Sequence, residues 1–191
     1  MVHYPTGKKN TFQEKNKISA GRRGQALEKD LNQSNQYYLD TNKAVIHKKP
    51  TPIQIVKVDY QSRSTAKITE AYFRIPSTTD YNGIYKGRYL DFEAKETRSR
   101  TLFPFKAIHP HQLIHLKQVK SHGGIAFVII RFVLLQETYL VEAGIVIEAY
   151  ENKQHSLPLS VVRDKGYLLK SGYICPVDYL KAVDQLLLKG E

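Results

Sequence analysis

The chain has 191 residues, 41% hydrophobic and 25% charged, which suits one globular domain with room for an appendage. Its 29 Lys and Arg against 18 Asp and Glu give a net charge of +11, a field that recruits polyanions, nucleic acid ahead of an anionic membrane. One cysteine excludes an internal disulfide and a cysteine-based zinc site and fits a reducing cytoplasm, and the polar start has no apolar secretory segment.

Residues 1–20 are polar and basic with little periodicity, and a flexible arm is expected there, ahead of a single domain over 21–191. Arg22-Arg23-Gly24 leads into a helix on which Leu27, Leu31, Ser34 and Tyr38 share one stripe, ended by Asp40-Thr41-Asn42. A short strand is expected at 44–47. The basic loop Lys48-Lys49-Pro50-Thr51-Pro52 follows, where proline blocks ladder pairing. Alternation over 54–60 and 66–75, around the polar turn 61–65, predicts a two-stranded excursion. Its low apolar content suits a projection at about 57–76 rather than a core hairpin.

Asn82-Gly83 and Lys86-Gly87 are turn signals, so a strand ending near Asp80 is expected to fold back on one starting near Arg88. In that second strand Leu90, Phe92 and Ala94 face one way and Asp91, Glu93 and Lys95 the other. Pro110 opens a helix to about Ser121. Strands are expected at 125–135 and 138–147. The first is the longest apolar stretch, well short of the roughly 20 residues that a membrane span needs. Cys175 reads as a small buried hydrophobe, and Val177, Leu180, Val183 and Leu187 mark a terminal helix. The expected class is α/β, a mixed central β-sheet flanked by helices.

Glu93 and Lys95 are two residues apart and leave the same face of their strand, and the hairpin brings Asp80 to them. Thr78 shares the face of Asp80. Two carboxylates meeting beside a turn make a hard-oxygen site for Mg²⁺. Phosphodiester cleavage needs such a cation to polarise the phosphate and activate water, and positive charge where the phosphate oxygens gain negative charge. Asp80 and Glu93 suit the first task and Lys95 the second. The same residues also fit an ion pair on a solvated strand face. Asp91 suits a salt bridge better than a third metal ligand. His111 and His115 share a helix face but have no third nitrogen ligand.

The order Asp80 … Glu93-Ala94-Lys95 resembles the PD-(D/E)xK nuclease superfamily, with Thr79 where that name has proline. The longer stretch Ser77 to Thr97 is similar to the RecU family of Holliday junction resolvases from Gram-positive bacteria, which share that departure. Arg23-Gly24, Leu27-Glu28, the segment 47–52 and His109-Pro110-His111-Gln112 extend the similarity. It spans most of the chain and weakens in the arm and after about residue 135.

The resemblance implies a restriction-endonuclease-like nuclease fold, with the 57–76 excursion as a stalk that enters the centre of a four-way junction. It implies Mg²⁺, with Mn²⁺ substituting, held by Thr78, Asp80, Glu93 and Gln112, and Lys95 stabilising the transition state. Glu28 becomes a further acid behind the metal ligands. Taken from the residues alone, Gln112 is a helix-start side chain bonding backbone, and Glu28 an exposed helix acid. DNA-contact candidates are Arg23 with Arg22, Lys48, Lys49, Arg63, Lys67, Phe73 and Arg74. Phe73 would stack on bases, unless it and Tyr72 pack inside their hairpin. Nicking two opposed strands in recombination and DNA repair implies a homodimer. A recombinase and a branch-migration helicase are implied as partners, and no membrane. Two alternatives stand: another repair or site-specific DNA endonuclease of the superfamily, and a non-catalytic basic module that binds structured nucleic acid.

Overall fold

A computed structural model describes residues 25–74 and 78–189. The arm expected over 1–20, Arg22 and Arg23 lie outside them. Helix α1 (Gln25–Asp40) precedes strand β1 (Val45–Lys48), and β2 (Ile53–Asp59) and β3 (Lys67–Phe73) follow. Next come β4 (Tyr81–Tyr85), β5 (Arg88–Thr97), the short β6 (Leu102–Pro104) and α2 (Pro110–Ser121). The remainder is β7 (Ile125–Phe132), β8 (Glu137–Glu142), α3 (Ala143–Glu151), β9 (Ser156–Pro158), α4 (Leu159–Lys165), β10 (Tyr167–Leu168) and α5 (Leu180–Lys189).

The central sheet has six strands in the order β1-β4-β5-β7-β8-β10. Only β5 and β7 run parallel, the crossover between them carrying α2, so the sheet is mixed as expected. The sequence of β7 is nearly all apolar because both faces of the strand are covered. Phe127 and Ile129 enter one core with Leu27 and Leu31 of α1 and Val183 of α5. Val128 and Ile130 enter the other with Leu113 and Leu116 of α2 and Val146 of α3. Strand β5 obeys the same alternation. Leu90 and Phe92 face the α1 side, where Phe92 lies between Tyr81 and Phe127 with ring centroids 4.9 and 4.6 Å away.

The β4–β5 hairpin forms, but its turn is Lys86-Gly87 alone. Both residues have positive φ (48° and 73°), as a two-residue turn matched to strand twist requires. Asn82-Gly83 sits inside β4 instead. A Cβ at Gly83 would lie 2.1 Å from the Val45 carbonyl oxygen, so this glycine admits β1 rather than turning the chain.

Further along, the expected strand over 138–147 divides into β8 and α3. Ile145, Val146 and Ile147 favour strands by type, but Ala143, Val146 and Ile147 are buried at helical spacing. Burial of one side overrides propensity. The terminal helix starts at Leu180, later than expected, with Val177 and Tyr179 buried just before it. Cys175 is half-buried against the α1-side core.

Strands β2 and β3 form their own two-stranded sheet, closed at the base by the Arg74 N–H donating to the Pro52 carbonyl at 3.0 Å. Every residue of both strands is exposed. Tyr72 and Phe73 are therefore not packed inside the hairpin. Among the described residues no helix is long and apolar enough to cross a membrane.

Candidate functional site

Strand β5 turns Asp91, Glu93 and Lys95 toward α2. This face is not solvated. The side chains of Asp91 and Glu93 are 0% exposed and that of Lys95 is 24% exposed. The β4–β5 register pairs Tyr81 with Phe92, and Asp80 directly precedes Tyr81, so the hairpin delivers Asp80 to Glu93. Lys95 bridges the two acids. Its ammonium donates to Glu93 Oε1 and lies 3.6 Å from Asp80 Oδ2.

Gln112 enters from the first turn of α2, which Pro110 pre-sets. Its Oε1 accepts from the His109 N–H at 2.9 Å, which is the helix-start role. Its Nε2 donates to Glu93 Oε2 at 2.7 Å, which joins it to the acids. Both readings of this residue hold at once. Thr78 and Asp80, half-buried, line a cleft of about 370 Å³ with Glu28, Lys48, Lys49 and the 50–52 segment. Glu28 is neither a free surface acid nor a direct neighbour of Glu93. It pairs with Lys48 at the cleft wall.

Burial raises the Glu93 carboxyl and Asp80 beside it adds to the effect, while Lys95 pulls the other way; the result is about 8. Burial works against the charge of Lys95, but Glu93 and Asp80 outweigh it and hold the ammonium above its ordinary value. Among the described residues no group of three or more His, Cys, Asp and Glu is poised to hold a metal ion. Glu93 is joined to Asp80 through Lys95 and to Gln112 through that residue's amide nitrogen, while Thr78 lines the adjoining cleft with Asp80.

Asp91 makes the salt bridge expected of it, and more. Lys49 Nζ donates to Asp91 Oδ2 at 2.8 Å, Tyr89 OH donates to the same oxygen at 2.8 Å, and His115 Nε2 lies 3.2 Å from it. Thr79 Oγ1 donates to Oδ1. His115 thus faces Asp91 rather than forming a site with His111. Sequence reasoning missed Thr79 and Tyr89, although period 2 already puts Tyr89 on the face of Asp91.

The DNA-contact candidates divide by location. Lys49 turns inward to Asp91, whereas Lys48 is exposed beside Glu28. Arg63, Lys67, Phe73 and Arg74 are all exposed on the β2–β3 unit, Phe73 at 85%. They are not brought to Glu93 directly. The 50–52 segment connects them, since it lines the cleft and leads into β2.

The sequence model of the Recombination protein U family matches residues 22–185. The chain belongs to this family. Three relatives, each named Holliday junction resolvase RecU, show how far the similarity reaches. The one from Lactococcus lactis subsp. lactis is 52% identical over 181 residues, covering 94% of this chain and 85% of its own. The one from Geobacillus kaustophilus is 50% identical over 198 residues, covering 97% of each. That from Bacillus cytotoxicus is 49% identical over 195 residues, covering 97% and 98%.

Proposed function

We propose that this RecU-family chain is a divalent-metal-dependent endonuclease that resolves four-way DNA junctions in homologous recombination and DNA repair. The observation that carries this reading is a fully buried glutamate, Glu93, tied through Lys95 to Asp80, which lines a cleft shared with Lys48 and Lys49. Family membership supplies the substrate.

The donor set fits a hard cation. Thr78, Asp80 and Glu93 carry oxygen donors, and the amide of Gln112 has one more, the preference of Mg²⁺, with Mn²⁺ able to substitute. A buried carboxyl held up to about 8 is also the group that a second nearby cation relieves. A divalent cation held there polarises the scissile phosphate and lowers the pKa of water.

The chain's own residues do the rest. Lys95 places a positive charge where the phosphate oxygens become more negative, in a site dry enough to strengthen it. Asp80, just before β4, and Glu93, on β5, hold that ammonium in place from two sides. For Gln112 to offer oxygen, its amide must turn over and release the His109 N–H. Glu28 keeps Lys48 at the cleft wall, on the path from the site to the hairpin.

We read residues 21–191 as one nuclease domain of the restriction-endonuclease-like type, after an N-terminal arm, with the β2–β3 hairpin as its stalk, starting at Ile53 rather than near 57. Arg63 and Arg74 there suit phosphates, Phe73 suits a base face, and Lys48, Lys49 and Arg23 extend the track. A homodimer working in the cytoplasm would nick opposed strands symmetrically.

The deciding assay uses a synthetic four-way junction and a linear duplex of the same sequence. Paired nicks in the junction with Mg²⁺, and none with EDTA, are expected. Equal cutting of the duplex would sink the junction reading, and cutting in EDTA would sink the metal.

A further inference from the structure

Thr78 and Asp80 are carried by an irregular segment, not by a strand. Such a segment has no ladder to fix it, yet the site needs these side chains set against Glu93 to within a fraction of an ångström. Two bonds from Lys49 help. Its backbone N–H donates to the Asp80 carbonyl at 2.8 Å, and its ammonium donates to Thr79 Oγ1 at 3.0 Å. Both Lys49 and Thr79 converge on Asp91, which is fully buried two residues before Glu93 on β5.

We propose that Asp91 is the positioning residue of this active site, bolting the 78–80 segment to β5 through Thr79 and Lys49. Its reach extends to the third carrier of the site. His115, one helical turn after Gln112 on α2, meets the same Asp91 oxygen, and Tyr89 completes its shell. One carboxylate thus touches the loop bearing Thr78 and Asp80 and the helix bearing Gln112, and it stands on the strand bearing Glu93. A buried carboxylate with four polar partners fixes geometry because any displacement of it leaves buried polar groups unsatisfied. Among the described residues Asp91 bonds Lys49, Thr79, Tyr89 and His115 and none of the proposed metal ligands, so it acts through Thr79 rather than on the phosphate.

The inference rests on the metal-nuclease reading and is tested on the full chain with two readouts. Mn²⁺ binding by calorimetry without DNA is the first, and single-turnover junction cleavage against Mg²⁺ concentration is the second. Thr79→Val and Asp91→Asn are each expected to weaken Mn²⁺ binding about tenfold or more, the usual loss when a partner behind a ligand is removed. Each is also expected to raise the half-saturating Mg²⁺ for cleavage by a similar factor, with junction affinity in Ca²⁺ unchanged. Thr79→Ser, which keeps the hydroxyl, should behave as wild type. The double variant should be no worse than the poorer single one, because both act along one path.

Wild-type metal binding in Thr79→Val and Asp91→Asn overturns the proposal, and so does a double variant whose losses multiply. If Asp91→Asn does not fold, the comparison of Thr79→Val with Thr79→Ser decides alone. Failure of the underlying reading looks different: Glu93→Gln would then cut junctions at the wild-type rate.

Discussion

Burying Glu93 beneath α2 destabilises the metal-free protein, and by an amount that depends on pH. Its carboxyl rises from an ordinary 4.5 to about 8, so the folded state holds the proton more tightly than the unfolded one. Below 4.5 both states are protonated and burial carries no ionisation penalty; the penalty grows as pH rises to about 8. Glu93→Gln removes the charge at near-constant shape. It should stabilise the fold in EDTA at pH 8 by on the order of a few kcal/mol at most, seen as a higher melting temperature, and leave that temperature unchanged near pH 4. A melting curve at each pH checks this. The same variant, and Asp80→Asn, should lose cleavage while retaining junction affinity, measured by gel shift, because the basic surface is untouched. Lys95→Ala should slow single-turnover cleavage roughly 100- to 1,000-fold, the scale of removing one preorganised electrostatic donor.

At the residue scale, alternation and the hairpin signal made the trio Asp80, Glu93 and Lys95 legible, and the structure does bring them together. Gln112 came only through resemblance, since a glutamine in a first helical turn has an ordinary backbone role, and here it keeps that role as well. The burial of Asp91 and Glu93 was not legible. Two acids on an alternating strand look solvated until the helix that covers them is placed.

The β2–β3 hairpin and the β4–β5 hairpin are opposites as elements. In the first, both faces are open to solvent, so trimming the tip over 61–65 removes little buried area. Such a deletion should leave thermal stability nearly intact and reduce the preference for a junction over duplex, measured by competition binding. Unchanged preference would remove the stalk from the functional reading. In the second hairpin the strands are tightly constrained. Gly83→Ala pushes a methyl group into the β1 backbone and should destabilise the fold by about 1–3 kcal/mol in urea unfolding, as overpacking does.

The stripe of α1, the alternation of β5, the proline start of α2 and the apolar run of β7 were readable from sequence. The stretch 143–168 was not, because its β-branched residues and short pieces, α4, β9 and β10, depend on packing against the rest of the sheet.

For the whole molecule, the net charge of +11 and an exposed basic hairpin predict binding governed by phosphates. Junction affinity should fall by at least about a hundredfold between 50 and 200 mM salt, the behaviour of several released counterions. Light scattering should return twice the chain's 21.9 kDa if opposed nicks come from a two-fold pair. The class of fold was legible because helical and strand periods alternate along the chain. The strand order was not, since nothing local says that β4 lies between β1 and β5.

Strand β5 interleaves the aromatic stack with the acids, residue by residue. A single insertion or deletion between Leu90 and Lys95 would therefore exchange the two sets, sending Phe92 toward the phosphate and Glu93 into the aromatic core. Fold and reaction would fail together here. Length variation among related chains should accordingly gather in the 61–65 tip and be absent from this strand.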